Sequence, residues 1–429
     1  MSSIFTTYTD LHRSFYPKYW KLCRFKDVIS SSRAGAWGEE PNSDENDIIC
    51  YRMADFDYQN YCLKFDNLTL RNILPSQQEC RLLKYGDLLL EKSGGGEKMP
   101  VGRVVFVNSS QTAVCSNFIQ ALSINEKASS RFLLYLFNSI YSTRVNTLFF
   151  NQTTGIQNLQ TNYYLSQEIF LPPVEEQEAI AEYLDKECGK IGREIELLER
   201  KEEAYRRLRR SIITQAVTRG LNPSAPLMPS GLRWIEYVPQ HWEIGRIRNF
   251  FSYRNEKVSE IDFAPLSVTK NGVVPQMENV AKSMAEGDTR KKVCKNDFVV
   301  NSRSDRKGSC GTAPIDGSVS LIYIVLEPTN IDPNFADYYL RCNDWVEEFY
   351  RNGKGIVADL WTTNYSIMRN IEIALPPIEE QRQIADYLDV KCSKIDAIIE
   401  KISAKIERLK LLKRALINEV VTGQRPINK

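Results

Sequence analysis

Two stretches of the chain carry the apolar spacing of a long helix. In the later stretch apolar residues recur in steps of four and three, as in a heptad seam: Ile395, Ile399, Ile402, Ile406, Leu409, Leu416 and Val420. Lys413 interrupts these steps, and we expect the neighbouring Leu412 to take its place. The earlier stretch gives Ile191, Ile195, Leu198, Tyr205, Ile212 and Ala216, with Glu202 and Arg209 inside the stripe and Leu208 matching Leu412. Each pattern predicts a helix of roughly 30 residues, on the order of 45 Å long.

The two stretches belong to one repeated sequence. "LPPVEEQEAIAEYLDKECGKI" begins at Leu171, and "LPPIEEQRQIADYLDVKCSKI" begins 204 residues later, at Leu375. In each copy the paired prolines mark a helix start, and a short amphipathic helix is expected before the long one. Gly220 and Gly423 follow as plausible helix stops. Cys188 and Cys392 occupy matching positions, where a small buried packing residue is expected rather than a metal ligand.

The segments before each copy alternate between strand and helix patterns. The quoted stretches "RVVFVNSS" and "SLIYIVLEP" are rich in β-branched and aromatic residues and predict strands. "RFLLYLFNSIYSTRV" and "FADYYLRCNDWVEEFY" predict amphipathic helices. "EKSGGGEKMPVGR" predicts a glycine-rich turn between strands, and "RGLNPSAPLMPSGLRW" predicts a linker into the second half.

Weaker similarities extend the repeat upstream. "PKYWKLCRFK" from Pro17 matches "PQHWEIGRIR" from Pro239, and "KYGDLLL" near Asp87 resembles "KNDFVV" near Asp297. The chain is therefore divided into a module at 1–170, a helical region at 171–220, a second module at 221–374 and a second helical region at 375–429. We predict an α+β fold with a pseudo-twofold internal repeat, in which an antiparallel two-helix coiled coil separates two mixed α/β domains. The alternative is that each long helix packs on its own module.

Composition bounds the class of protein. The chain has 429 residues, enough for two or more domains, and its formal net charge is only +2. It contains no apolar run of about 18 residues, and its first residues lack a leader pattern, so we expect no transmembrane helix and a cytoplasmic protein. The ten cysteines form no CxxC pair, which favours reduced thiols.

The sequence contains few of the residues and motifs that catalytic sites use. Its two histidines, His12 and His241, do not support His-dependent triads or His-rich metal sites. It has no phosphate-binding loop, no HExxH motif and no [DNS]PP[YFW] tetrapeptide of the kind that amino-methyltransferases use. The glutamates of "EEQ" fit a helix start better than an active site. We therefore predict no catalytic residue, no metal site and no bound cofactor.

The repeated "LPPxEEQxxIAxYLDxxCxKI", followed by a long charged helix ending in "VVTG", resembles the repeated region of the specificity subunit of type I restriction-modification systems. The order variable, repeat, variable, repeat covers nearly the whole chain. "GDLLLEKSGGG" with "VGR" in the first module and "LSVTKNGVVP" in the second are similar to that family's target-recognition domains. The first repeat departs slightly, with "TRG" in place of "TGQ".

The resemblance implies a non-catalytic subunit that reads a bipartite, asymmetric double-stranded DNA site. It also implies two methyltransferase subunits and restriction/translocase subunits as partners. S-adenosylmethionine, Mg²⁺ and ATP would then be bound only in those partners, and adenine N6 would be methylated there. The helices would act as a spacer between the two readers.

Residues with base-reading or phosphate-binding chemistry were selected from glycine-rich or basic loops. The DNA-binding candidates are Lys92, Ser93, Gly94, Gly95 and Arg103 in the first module, and Thr269, Lys270, Asn271, Arg303, Ser304, Arg306 and Lys307 in the second. A run of basic residues supports the second set: Arg290, Lys291, Lys292, Lys295, Arg303, Arg306 and Lys307. For any one of these residues the alternative is an ordinary solvated turn.

Four apolar positions of the repeat are candidates for contact with a partner: Ile180, Tyr183, Ile384 and Tyr387. Their exposure on the short helix is the premise of that prediction. Two other functions stay open from the sequence: a methyltransferase with its own recognition domains, and a coiled-coil scaffold without a DNA role. The first would need S-adenosylmethionine binding by the isolated chain, and the second would show no gel shift with DNA.

Overall fold

The computed structural model describes residues 7–153, 155–276, 289–355 and 362–427. The chain forms two compact units. The first unit comprises Met1–Glu199 with Ala404–Lys429, and the second comprises Arg200–Ser403. Each unit therefore takes one globular module and parts of two long helices.

The first half of the chain supplies the following elements. The helices are α1 (Tyr8–His12), α2 (Pro75–Gln78), α3 (Ser130–Ser142), α4 (Thr161–Tyr164) and α5 (Val174–Arg219). The strands are β1 (Lys21–Arg24), β2 (Ile29–Ala34), β3 (Asp47–Tyr51), β4 (Phe56–Asp57), β5 (Cys62–Leu63), β6 (Leu70–Asn72), β7 (Leu88–Glu91), β8 (Ser93–Gly94), β9 (Val104–Phe106), β10 (Ala113–Cys115), β11 (Ile119–Ile124), β12 (Phe150–Thr153), β13 (Ile156–Leu159) and β14 (Glu168–Leu171). Short 3-10 turns occur at Phe25–Asp27, Met53–Asp55 and Val145–Phe149.

The second half supplies a parallel set. The helices are α6 (Ile247–Phe250), α7 (Pro333–Tyr339), α8 (Asn343–Arg351), α9 (Tyr365–Met368) and α10 (Ile378–Val421). The strands are β15 (Leu227–Pro229), β16 (Tyr237–Pro239), β17 (Glu243–Arg246), β18 (Phe251–Tyr253), β19 (Lys257–Val258), β20 (Leu266–Thr269), β21 (Gly272–Pro275), β22 (Arg290–Val293), β23 (Phe298–Asn301), β24 (Cys310–Thr312), β25 (Gly317–Ser320), β26 (Tyr323–Pro328) and β27 (Glu372–Leu375). A 3-10 turn lies at Ser304–Arg306.

Both modules are built on the same four-stranded antiparallel arrangement. In the first module the order is β2-β11-β7-β9, extended by β5 and β4; in the second it is β18-β26-β23-β24. The central strand is apolar on both faces, because both are covered. Leu88 and Leu90 of β7 join the core that contains α3, while Leu89 joins a separate cluster on the other face. β23 repeats this division, with Val299 alone on the second face.

The ends of each module are also repeated. Trp20 and Trp242 are buried, and the N–H of each donates to the carbonyl of the proline three residues earlier at 3.0 Å. The strand after each tryptophan pairs with the strand before the long helix. Lys21 faces Leu171 in β1–β14, and Glu243 faces Leu375 in β17–β27. The polypeptide therefore enters and leaves each module in the same way.

α5 and α10 are single uninterrupted helices of 46 and 44 residues. The prediction of a short helix followed by a separate long one is wrong, because the helix continues through Cys188 and Cys392. At 1.5 Å per residue each helix is about 66–69 Å long, against about 45 Å expected for the long part alone. Both cysteines are buried packing residues, as predicted.

Within each unit the two helices run antiparallel. In the first unit Ile180 and Leu184, near the start of α5, share a core with Leu416 and Val420 near the end of α10. In the second unit Ala216, near the end of α5, shares a core with Ile384 and Leu388 near the start of α10. Lys405 pairs with Glu194 (2.7 Å), and Arg209 pairs with Asp396 (2.9 Å). The predicted antiparallel pairing is confirmed, although the helices also pack on their modules.

The seam differs from the prediction at one repeated position. Leu412 is 53% exposed and Leu208 is 47% exposed, so neither leucine replaces the polar residue in the stripe. Lys413 itself is buried; its amine donates to the Gln59 carbonyl (2.5 Å) and lies 5.0 Å from the centre of the Tyr61 ring. A long aliphatic stem lets lysine cover an apolar surface while its amine reaches a polar partner.

Two other local predictions need correction. "FADYYLRCNDWVEEFY" forms two helices, α7 and α8, because Leu340 caps the first and Cys342, with extended backbone, begins the second. The expected linker after α5 is partly folded, since β15 within it pairs with β16. In the described part of the chain, no helix combines the length and the apolar character needed to cross a membrane.

Candidate nucleic-acid interface

The repeated glutamine ties each long helix to its own module. The Gln177 side-chain amide donates to the Pro172 carbonyl (2.9 Å), and its oxygen accepts the Ser129 N–H (2.8 Å). Gln381 makes the same two bonds, to the Pro376 carbonyl (2.9 Å) and from the Asp332 N–H (2.8 Å). Ser129 and Asp332 cap α3 and α7, so each glutamine links the start of the long helix to the start of a module helix.

The repeated aspartate makes a second contact between each long helix and its module, about two helix turns further on. Tyr135 donates to Asp185 (2.6 Å), and Tyr338 donates to Asp389 (2.7 Å). The repeated glutamate makes a third: Tyr19 donates to Glu176 (3.1 Å), while Glu380 contacts His241 (2.6 Å). The second glutamate, the glutamine and the aspartate of each copy of the signature therefore have structural partners inside the chain.

A buried aspartate immediately precedes the central strand of each module. Asp87 accepts the Lys84 N–H (2.9 Å) and pairs with an arginine of β2. Asp297 accepts the Cys294 N–H (2.8 Å) and binds Arg254 through its Nε at 2.6 Å. Burial raises the pKa of Asp297, and its hydrogen bond to Arg254 opposes that shift. The two aspartates confirm that the short upstream similarity belongs to the repeat.

The glycine-rich loop of the first module leaves β7 at its carboxyl end. Ser93 and Gly94 form β8, which pairs with β13, and the Ser93 hydroxyl donates to Asn158 (2.7 Å). Gly94 and Gly95 have φ values of +114° and +66°, and a Cβ on Gly95 would lie 2.7 Å from the Val101 nitrogen. Glycine is therefore required there by backbone geometry. Gly95 is exposed and Lys92 is half-buried, so this loop remains a candidate for contact with a ligand.

Arg103 is held inside the first module. Its guanidinium binds both oxygens of Glu91, through Nε at 3.0 Å and a terminal nitrogen at 2.9 Å, and lies 3.6 Å from the centre of the Tyr58 ring. Glu91 is buried and also accepts the Tyr58 hydroxyl. Burial lowers the pKa of Arg103, but the hydrogen bond and the negative charge of Glu91, with smaller contributions from Tyr58 and Tyr141, together shift it upward. Most of the arginine's bonding capacity is thus used within the chain.

Thr269, Lys270 and Asn271 form the tip of the β20–β21 hairpin. The Thr269 hydroxyl donates to the Gly272 carbonyl (3.0 Å) and accepts the Asn271 N–H (3.0 Å). This closes the turn and leaves the side chains of Lys270 and Asn271 exposed. Both therefore retain the exposure that their predicted contact with DNA requires.

The remaining candidates follow β23. Arg303 and Arg306 are exposed and share Asp305, at 3.2 Å and 3.7 Å from their Nε atoms. Lys307 pairs with Glu347 (2.5 Å). Ser304 lies in the 3-10 turn, and its side chain is outside the described residues. This loop leaves the end of β23, as the glycine-rich loop leaves the end of β7.

The basic run from Arg290 to Lys307 is not one phosphate-facing surface. Arg290 bonds to Ser318, and Lys292 pairs with Glu256 (3.1 Å). Lys291 is buried, where its amine donates to the Tyr253 hydroxyl (3.0 Å) and to the Tyr323 carbonyl. The run is therefore divided, because successive residues of a strand such as β22 point to opposite faces of the sheet.

The four partner-facing candidates separate by burial. Ile180 and Ile384 are buried in the cores of their own units, so the expectation that they are exposed is wrong. Tyr183 is half-buried against the first core, and Tyr387 is 37% exposed. Contact of the two tyrosines with a partner stays a prediction.

Two clefts bring some DNA-binding candidates together with arginines that are not among the candidates predicted from the sequence. Arg103 lines a cleft of about 190 Å³ in the first unit with Arg144 and Arg414. A cleft of about 370 Å³ in the second unit is lined by five basic side chains: Arg209, Arg210, Lys270, Lys307 and Arg341. Arg210 and Arg414 are 204 residues apart, so their matching places in the repeat were a usable signal.

Comparison with known families gives a match across most of the chain. The model of the type I restriction modification DNA specificity domain matches twice, at residues 17–203 and 239–408. The two matched ranges correspond to the two modules with the first part of each following helix.

Individual relatives are distant but cover nearly the full length. The chain is 22% identical to the type I restriction enzyme MjaVIII specificity subunit of Methanocaldococcus jannaschii, over 97% of this chain and 95% of that protein. It is 23% identical to the putative type I restriction enzyme MjaX specificity subunit of the same organism, over 95% and 94%.

A solved structure shares the fold. It comes from work on complex assembly and conformational transition of the type I R-M system, and it matches with a TM-score of 0.68 and 16% identity. The match covers 96% of this chain and 99% of that one.

Proposed function

The chain belongs to the family of type I restriction modification DNA specificity domains, and on that premise we propose that each unit reads one half of a bipartite DNA site. The supporting observation is that the two modules repeat one arrangement of strands but carry different loops on it. β7 and β23 each follow a buried aspartate with the same contacts, yet the loops after these strands share no sequence. Unlike loops on like frames give an asymmetric site, whereas identical half-site readers give a palindrome.

The frame places base-reading chemistry at loop positions. In the first unit the loop contains Lys92 and Ser93. In the second unit the exposed candidates are Lys270, Asn271, Arg303 and Arg306. Lysine, arginine and asparagine side chains recognise base edges in the major groove, and exposed hydroxyls and backbone N–H groups bind phosphates. The loops are therefore the proposed determinants of the two half-sites.

The two helices serve as the proposed spacer. α5 and α10 are uninterrupted, and polar pairs such as Arg209–Asp396 and Glu194–Lys405 fix their register. Inserting seven residues into each helix keeps the heptad seam and adds about 10.5 Å. At about 3.4 Å per base pair, we expect the gap between half-sites to increase by about three base pairs.

The chemistry of modification and cleavage is assigned to partners. We expect two methyltransferase subunits, which would bind S-adenosylmethionine and methylate adenine N6, and restriction/translocase subunits, which would use Mg²⁺ and ATP. The chain itself would be a non-catalytic cytoplasmic scaffold. Support comes from the repeated signature, whose glutamine and aspartate are engaged in hydrogen bonds within the chain in both copies. Tyr387 is the most exposed of the candidate positions for contact with a methyltransferase.

The test is a genome-wide map of methylated adenines in a host that expresses the methyltransferase subunits with and without this chain. The complete chain should give one bipartite, asymmetric motif. Lys92→Ala with Ser93→Ala should relax only one half of the motif, and Lys270→Ala with Asn271→Ala only the other. Lys64→Ala, an exposed lysine outside these loops, is the matched control. A motif that survives removal of the chain would overturn the proposal, as would loop variants that always change both halves.

A further inference from the structure

The two arginine-lined clefts occupy equivalent places in the two units. In the first, Asn138 and Ser139 of α3 face Arg414 and Ile417 of α10. In the second, Arg341 and Cys342, which follow α7, face Arg210 and Ile213 of α5. The helix positions are related by the repeat shift of 204 residues, and the module positions by 203. Each cleft is therefore formed where a long helix meets the end of a module helix.

The first cleft is rich in cations without carboxylates along its wall. Its lining includes the three arginines Arg103, Arg144 and Arg414, and hydroxyl groups of tyrosine and serine. Arg144 and Arg414 have no acidic partner among the described residues, and both are exposed. Within the described part of the chain, Arg414 donates a hydrogen bond to the Lys410 carbonyl of its own helix (3.4 Å) and to no other group. Two exposed guanidiniums at one cleft are suited to a phosphate group, which accepts paired hydrogen bonds.

The second cleft has more cations, but most of these have acidic neighbours. Arg209 pairs with Asp396, Arg210 with Glu203 (3.2 Å), Lys307 with Glu347 and Arg341 with Asp337 (2.6 Å). Only Asp337 belongs to the wall itself. The pairs of Arg209, Arg210 and Lys307 lie at the surface, where such pairs are weak and exchange readily for another anion.

A second observation connects each cleft to a proposed reading loop. Arg144 donates to the Lys98 carbonyl (3.0 Å) in the glycine-rich segment of the first module. Arg341 donates to the Lys270 carbonyl (3.3 Å) at the tip of the β20–β21 hairpin. In both units an arginine of the cleft thus holds the backbone of the loop that is proposed to read bases.

We propose that each cleft binds a phosphate of the DNA backbone beside the half-site read by its own unit. Arg144 and Arg414 are the phosphate ligands in the first unit, and Arg210 and Arg341 are those in the second. This assignment rests on the proposed function and adds to it, because it gives the long helices a direct contact with DNA. The bound phosphate would also fix the loop through the same arginine.

The experiment uses the chain assembled with its methyltransferase subunits. Fluorescence anisotropy measures binding to a duplex that carries the mapped motif and to a scrambled duplex, over a series of salt concentrations. The variants are Arg144→Gln with Arg414→Gln, and Arg210→Gln with Arg341→Gln. Arg408→Gln and Arg207→Gln are matched controls; both arginines are exposed on the same helices and lie outside the clefts. Arg207 also shares Glu203 with Arg210.

Each lost phosphate contact should reduce the slope of log K against log salt by about 0.9, and so by about 1.8 for a double variant. Affinity should fall on the order of tenfold or more at 0.1 M salt, equally for both duplexes, because phosphate contacts carry no base information. The control variants should keep the wild-type slope. Arg144→Lys with Arg414→Lys should retain most of it, which separates loss of charge from loss of folding.

Unchanged slopes in both glutamine variants would overturn the assignment. Slopes that stay unchanged while a variant no longer co-purifies with the methyltransferase would also overturn it, and would identify the cleft as a protein interface. Failure of the proposed function looks different, since the wild-type complex would then show no preference for the mapped duplex.

Discussion

The two units share the glutamine hydrogen bonds that attach each module to its long helix. They differ in the polar residue that ends the central strand, next to the loop that follows it. Gln177 and Gln381 make the same pair of hydrogen bonds, with lengths that agree within 0.1 Å. By contrast, β7 ends in Glu91, which binds Arg103 and Tyr58, whereas β23 ends in the neutral Asn301. The repeat therefore preserves the residues that attach each module to its long helix. The residues that support the loop after the central strand differ between the two units.

The seam of the long helices shows the same division. Lys413 in the first unit is buried against Gln59 and Tyr61 of its module. Arg209, at the matching place in the second unit, reaches Asp396 on the other helix. One repeated polar position therefore depends on the module in one unit and on the opposite helix in the other.

The largest expected effect is at the end of the central strands. Glu91→Ala should destabilise the first unit by about 3–5 kcal/mol, because it leaves the mostly buried Arg103 without its partner. Asn301→Ala, whose side chain accepts only the Arg303 N–H (3.0 Å) among the described contacts, should cost about 1 kcal/mol in the second unit. Hydrogen exchange measured by mass spectrometry reports each unit separately. Adding Arg103→Met to Glu91→Ala should recover part of the loss, and equal losses in the two units would contradict the comparison.

The next largest effect is the loss of the repeated glutamine, which should destabilise the two units equally. Gln177→Leu and Gln381→Leu each remove the partners of one buried N–H and one carbonyl, at an expected cost of about 2–4 kcal/mol. Urea unfolding of the complete chain, followed together with unit-specific hydrogen exchange, measures both. Gln215→Leu, on the exposed surface of α5, should change stability by less than about 0.5 kcal/mol. If only one of the two leucine variants lowered stability, the repeated glutamines would not have equivalent structural roles.

A smaller effect is expected on DNA affinity, with no change in the stability of the chain. Arg303→Ala and Arg306→Ala should each weaken binding to the mapped site by about 1–3 kcal/mol and make the salt dependence less steep. Both side chains are exposed, so the unfolding temperature should not change. Asp305→Asn is the control, because it frees both arginines and should not weaken binding. Unchanged affinity and salt dependence in both alanine variants would remove these residues from the interface.

The smallest expected effect is a difference in the pH dependence of stability between Lys413 and Arg209, which occupy matching positions in the seam. Burial lowers the pKa of Lys413 from its usual 10.5, so the unfolded chain binds more protons just below that value. Stability should therefore rise with pH through this window, and Lys413→Met should abolish the rise while changing stability near pH 7 by less than about 1.5 kcal/mol. Arg209→Met should leave the pH dependence unaltered. The check is the difference in unfolding temperature between variant and parent at pH 7 and at pH 9.5; a constant difference for Lys413→Met would be the contrary result.

The sequence alone determined the repeat and the presence of two long helical stretches, and it favoured their antiparallel pairing. The reason is periodicity: a heptad stripe on a long helix must be buried, and two copies of it in one chain supply each other's partner. The signature from Leu171 and from Leu375 also identified the family. The matching aspartates before β7 and β23 were visible as a short similarity, because a buried charged residue with fixed partners restricts the residues around it.

Only the tertiary structure decided which polar residues are used inside the chain. Arg103 and Lys291 look like DNA ligands in the sequence, but they lie mostly or wholly inside their modules, where they bind Glu91 and Tyr253 respectively. Ile180, which we predict from the sequence to be exposed, belongs to a core. Local sequence specifies charge and period, whereas burial depends on segments tens to hundreds of residues away. For the same reason the clefts at Arg210 and Arg414 are formed only when a module helix is folded against a long helix.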